Sequence, residues 1–139
     1  MNRIHVLLLT IVLGWTSVDF EGDDAWVLKL DDQGGLVWDA TYGDDRAQGA
    51  AAVVLTDDGG YVVAAGTNSN PLTGNDAWIF GLDADGGLVR QVTLGGPKND
   101  GLADIQHAGD GGFILTGSTQ PEAGSLQRPW VVKLKASCP

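Results

Sequence analysis

Aspartate offers this chain most of its chemistry: sixteen of the eighteen acidic side chains are Asp, and many stand beside glycine. Aspartates at alternate positions present oxygens to a hard cation, which makes Asp31-Asp32-Gln33-Gly34 and Asp83-Ala84-Asp85-Gly86 the calcium candidates, through Asp31, Asp83 and Asp85. Neither segment continues into the bidentate acid of an EF-hand loop, and a hairpin turn uses the same residues equally well. The two histidines, His5 and His107, have no partner at ligand spacing. A nucleophile elbow, a metalloprotease helix motif and a P-loop are all missing from the sequence. Ser118 follows Gly117 without the second glycine an elbow needs, and Asp104 and His107 are matched one repeat earlier by Ala52 and Leu55. The expectation is a chain without catalytic residues and without a cofactor, calcium being the one exception to consider.

The residues that do recur are structural. Trp26, Trp78 and Trp130 stand 52 residues apart, and residues 24–75 laid on 76–127 without a gap agree at 17 of 52 positions. Gly34-Gly35 returns as Gly86-Gly87, and Asp58-Gly59-Gly60 as Asp110-Gly111-Gly112. A period of this length marks one supersecondary unit used repeatedly. Between the glycine pairs lie apolar runs at 26–30, 36–42, 50–55 and 61–66, each of strand length and rich in Val, Leu and aromatics. No run is long enough, with a 3.6-residue period, to be a helix. The unit is expected to be a four-stranded antiparallel meander with tight turns.

Four short strands in about 50 residues is the size of a β-propeller blade, and apolar residues on both faces of the run at Trp78 call for sheets above and below it. The expected architecture is all-β, an incomplete propeller of about two and a half blades. Its divisions are 1–23 (a signal-like segment, or the last strand of a preceding blade), 24–75 (first blade), 76–127 (second blade) and 128–139 (first strand of a further blade). The in-phase tryptophans are expected in the blade core, leaving Trp15 and Trp38 as the better candidates for surface contact.

The pattern carried by Asp24-Ala25-Trp26, Lys29-Leu30-Asp31, Thr41-Tyr42-Gly43 and Asp58-Gly59-Gly60-Tyr61 resembles the tandem repeat of large secreted bacterial β-propeller proteins, over residues 13–135. That resemblance implies the fold and an exported or cell-surface setting, and it brings no catalytic motif. The chain departs from the pattern where Gln48 stands opposite Asp100, where Gly81 replaces the lysine of Lys29 and Lys133, and at Pro97. The segment Leu30 to Trp38 is also similar to the repeat of pyrroloquinoline-quinone propellers, whose tryptophan helps dock neighbouring blades; Arg90 takes its place in the second unit. The Asp-Gly turns resemble sialidase Asp boxes, without an arginine triad. The expected function is that of a non-catalytic scaffold or binding module, a fragment of such a propeller. The alternative is part of a quinoprotein-like or glycan-processing propeller enzyme with its active residues in other blades.

Charge and termini narrow the partners. The formal net charge of −10 and the lack of a basic stripe argue against nucleic acid and against docking on anionic lipid. The apolar stretch at 4–13 is too short to span a membrane. It looks like an export signal after Arg3, but Gly14, Ser17, Gly22 and Asp24 also fall 52 residues before Gly66, Ser69, Gly74 and Asp76, which favours 9–24 as the tail of a preceding blade. Cys138, the single cysteine, excludes an internal disulfide. Two and a half blades cannot close a ring, so the expected partners are other blades or further copies of the chain, with a protein or glycan as ligand.

Overall fold

The computed structural model describes residues 10–17, 23–44, 46, 48–70 and 74–136. These form ten strands and no helix: β1 (Thr10–Ser17), β2 (Asp23–Leu30), β3 (Leu36–Tyr42), β4 (Gln48–Leu55), β5 (Tyr61–Asn70), β6 (Gly74–Leu82), β7 (Leu88–Leu94), β8 (Asp100–His107), β9 (Phe113–Thr119) and β10 (Arg128–Leu134). They group into three antiparallel sheets, β1-β2-β3, β4-β5-β6-β7 and β8-β9-β10. The all-β, antiparallel expectation holds.

The same turn is used four times. In the β2–β3 hairpin, Asp31 N–H donates to Gly35 O (2.8 Å) and Gly34 N–H to Asp31 O (3.1 Å). The β6–β7 hairpin repeats these bonds at 2.9 and 3.2 Å between Asp83, Gly86 and Gly87. The third turn residue needs a positive φ, supplied by Gly34 (84°) and Gly86 (87°), and by Gly59 and Gly111 in the β4–β5 and β8–β9 turns. This is why the Asp-Gly spacing recurs at a fixed interval.

Side-chain alternation then decides the stacking. Tyr61, Val63, Ala65, Trp78, Phe80 and Leu82 on one face of the middle sheet form a core with Ala25, Val27 and Tyr42 of the first sheet. Val62, Ala64, Ala77 and Ile79 on the other face form a second core with Leu102, Ile105, Phe113, Leu115 and Leu134 of the third. The middle sheet is thus buried on both sides, as the double-faced apolar run around Trp78 requires. Successive sheets pack by one rule: β4 lies against β1 and β2, and β8 lies against the corresponding strands β5 and β6.

Two details depart from the sequence-based expectation. The sheets are out of step with the 24–75 and 76–127 divisions. β1 pairs with β2 inside the first sheet, and the division at residue 75/76 falls inside β6, in the middle of a continuous sheet. A sequence period defines the length of a unit, but the chain changes sheets between β3 and β4 and between β7 and β8, and only packing reveals that. The N-terminal strand is also displaced by one residue from the gapless overlay. Leu13 pairs with Val27, whereas Ala64, not Ala65, pairs with the corresponding Ile79. A one-residue slip exchanges the faces of a strand, and here it turns Ile11 and Leu13 toward the first core. The span from Leu13 to its partner Val27 is one residue shorter than the span from Ala64 to its partner Ile79. Of the expected segments, residues 1–9 and Cys138 lie outside the described residues, as do Gly22 and the side chain of Trp15.

The stack makes equivalent residues unequal. Val27, Ile79 and Val131 occupy one repeat position, yet the first two are 0 % exposed and Val131 is 66 % exposed. Ile79→Ala should therefore cost about 2–5 kcal/mol of unfolding free energy in urea titrations. Val131→Ala should stay within about 0.5 kcal/mol.

Candidate functional site

Clefts lie at opposite ends of the middle sheet, and at each of them one unit departs from the other. The first is at the turn end. Between the first two sheets, Trp38 Nε1–H donates to Ala84 O (3.2 Å) and Tyr42 Oη–H to Gly86 O (2.5 Å), tying β3 to the β6–β7 turn and leaving a smaller cleft of about 220 Å³ beside Ile11, Leu55 and Tyr61. The Trp38 ring meets Tyr61 edge-on at 5.9 Å, and Tyr42 lies 5.1 Å from Phe80. A Cβ on Gly86 would come within 3.2 Å of both the Trp38 ring and Tyr42 Oη, so glycine is required there for contact as well as for φ. Trp38 is accordingly a docking residue and not the surface aromatic expected of it.

Between the second and third sheets the corresponding residue is Arg90, and in place of the tryptophan a cleft of about 380 Å³ opens. Asp58, Tyr61, Asp83, Arg90 and Phe113 are among its walls. Tyr61 is 1 % exposed, and its hydroxyl has no hydrogen-bond partner among the described residues. The Thr56 hydroxyl and the Gly60 N–H hold the Asp58 carboxyl below the usual carboxylate range, with Arg90 adding to the effect. His107 Nε2 on β8 lies 2.7 Å from Leu55 O on β4.

The second cleft, about 340 Å³, lies at the other end, where β4 and β8 begin. Gln48, Thr67 and Asp100, the buried polar side chains among the described residues, all line it. In the first unit a Cβ on Gly43 would strike Asp24 Oδ1 and Gln48 Oε1; in the second a Cβ on Gly95 would strike Asp76 Oδ1 and come within 3.0 Å of Asp100 Oδ2. The same corner therefore holds an acid and an amide in one unit and two acids in the other. Burial, and then repulsion from Asp100, push the Asp76 carboxyl up.

The hairpin aspartates are occupied locally. Asp31 Oδ1 accepts the N–H groups of Gln33 (2.9 Å) and Gly35 (2.7 Å), and Asp83 Oδ1 those of Asp85 and Gly87 at the same distances. Both carboxylates thus shape their own hairpins, while Asp85 is exposed. Among the described residues there is no group of three or more His, Cys, Asp or Glu able to hold a metal ion. Asp104 bonds Ile105 N–H and Gln106 Nε2, so it is engaged away from His107. Trp78 is 7 % exposed in the first core, whereas Trp130 is half-buried against the second and Trp26 half-buried on the outer face of the first sheet. Trp26 and Trp78 repeat one bond, to Asp39 and Gln91 on the next strand (3.1 and 3.0 Å). The Asp76–Asp100 corner escaped sequence reasoning, although the Gln48/Asp100 mismatch was its visible trace. No protein-family model matches the chain, and no curated protein does.

Two predictions concern the turn-end contacts. Trp38→Ala should lower stability by about 2–3 kcal/mol, less than for a fully buried tryptophan. Arg90→Trp, which fills the cleft, should add about 0.5–2 kcal/mol, both read from denaturant midpoints. Burial, and then the Asp83 carboxylate, push the Tyr42 hydroxyl from 10.0 up to about 12. Its contribution is whole below pH 10 and lost between pH 10 and 12, where the unfolded chain ionises first. Stability measured across that window should fall, and Tyr42→Phe should remove Tyr42's share of the fall.

Proposed function

We propose that this chain is a non-catalytic scaffold or binding module, built of β-propeller blades and belonging to an exported or cell-surface repeat protein. One observation carries the reading: the same repeat positions that are sealed in the middle sheet are half-buried at one end of the stack and exposed at the other. Trp78, Phe80 and Leu82 are 7, 0 and 3 % exposed. Trp26, Leu28 and Leu30, their counterparts on the first sheet, are half-buried. At the opposite end, Val131 is 66 % exposed where Val27 and Ile79 are sealed.

The outer face of the third sheet matches in kind the face that the middle sheet offers the third. The outer face of the first sheet matches the face that the middle sheet offers the first. Each outer face therefore suits another sheet of the same kind, in a head-to-tail contact that a ring of blades closes. The partners of the stack are other blades, in the same polypeptide or in further copies of it. Ligand binding falls to the clefts between sheets: the one between the second and third sheets presents the Asp58 and Asp83 carboxylates and Arg90 to a polar protein or glycan surface.

Sedimentation velocity tests the reading. The chain should associate as its concentration rises, and Val131→Asp should shift the distribution toward monomer. A compact monomer at every concentration, unchanged by that substitution, would count against the stack having sheet partners.

A further inference from the structure

The two units build the same corner with different chemistry, which makes one a control for the other. In the first, Gln48 is 4 % exposed and brings its own donors: Nε2–H donates to Asp44 Oδ1 (2.5 Å) and Thr67 Oγ1 (3.4 Å), while Oε1 accepts the Asp44 N–H (3.3 Å). In the second, Asp100 is 3 % exposed and has no donor to offer. Its Oδ2 accepts the Gly96 N–H at 2.6 Å, but its Oδ1 is buried without a hydrogen-bond partner among the described residues. Asp76 stands across Gly95, close enough that a Cβ on that glycine would meet both carboxylates. Among the described residues, neither acid lies within ion-pair distance of a lysine or arginine.

A buried carboxylate beside a second one is costly unless something positive sits between them. Where the first unit supplies amide hydrogens, the second leaves two sets of oxygens and a polar cleft. We propose that Asp76 and Asp100 bind a hydrated divalent cation of the hard, oxygen-seeking kind, calcium or magnesium. Carboxylate oxygens from both residues coordinate the ion, and water in the adjoining cleft completes its shell. With only two protein carboxylates the affinity belongs in the weak range of extracellular modules, about 10⁻⁴–10⁻³ M. The ion joins Asp76 at the start of β6 to Asp100 at the start of β8, and so fastens the middle sheet to the third. This site is distinct from the hairpin aspartates Asp31, Asp83 and Asp85. It lies wholly within the chain, so its test is independent of whether further sheets exist.

Thermal unfolding of the EDTA-treated chain, titrated with CaCl₂ and separately with MgCl₂ at constant ionic strength, tests the proposal. The unfolding temperature should rise saturably with at least one of the two cations. Asp100→Gln, which installs the amide of the first unit, should fold and lose the response; it should unfold at or above the parent temperature in EDTA. Asp76→Asn should also lose the response, Asp85→Asn should keep it, and Gln48→Asp should add a second saturable phase. Calorimetric titration with CaCl₂ reads binding directly if any variant unfolds too early for a melt. A parent chain indifferent to both cations would overturn the proposal. So would a response that survives Asp100→Gln, or one abolished by Asp85→Asn, which would place the ion in the hairpin turn.

Discussion

A sheet that is apolar on both faces cannot face water on either, and this constraint organises the molecule. The middle sheet holds Tyr61, Val63 and Phe80 toward one neighbour and Val62, Ala64 and Ile79 toward the other, all at 2 % exposure or less. Burial of each large side chain is worth about 1.5–3 kcal/mol, so the two cores together outweigh any polar contact in the chain. The hairpin turns, the tryptophan bonds to the neighbouring strand and the β3 tethers all act to present these faces in register. The outer sheets, each with one face packed on the middle sheet and one face turned away from it, follow from the same requirement.

Variation between the units is concentrated where this constraint is weakest. The apolar faces tolerate only exchanges such as Val27 for Ile79 or Tyr61 for Phe113, which preserve burial. At the turn end, Trp38 gives way to Arg90 and a tethered contact becomes a larger cleft. At the other end, Gln48 gives way to Asp100, and a self-satisfied amide becomes an acid with an oxygen left over. Both changes leave the strands undisturbed, so the stack acts as a frame on which individual corners acquire different chemistry.

Most of the secondary structure was readable from residue types alone. The strand at Leu36–Tyr42 falls where its apolar run predicted, and the glycines at positive φ sit where the Asp-Gly turns required them. The phase of the sheets was not readable, because a repeat can be cut at any point and the connections between β3 and β4 and between β7 and β8 have no signature to distinguish them from the hairpins. The register of β1 was hidden for a related reason. A gapless overlay rewards identities such as Gly14 with Gly66, whereas the fold rewards burial of Ile11 and Leu13. The candidate site was only half visible: the exchange of Gln48 for Asp100 could be seen, but not the approach of Asp76 across Gly95, which depends on where two strands begin in space.

The amino-acid sequence by itself determined the local units, meaning strands of alternating or doubly apolar residues and turns closed by aspartate and glycine. These depend on backbone conformation and on side chains a few residues apart. Tertiary structure alone decided which hairpins share a sheet, which copy of a repeated residue is sealed and which is bare, and which carboxylates meet. Those outcomes depend on contacts between segments about 50 residues apart, and identical local sequence cannot distinguish the middle of a stack from its ends.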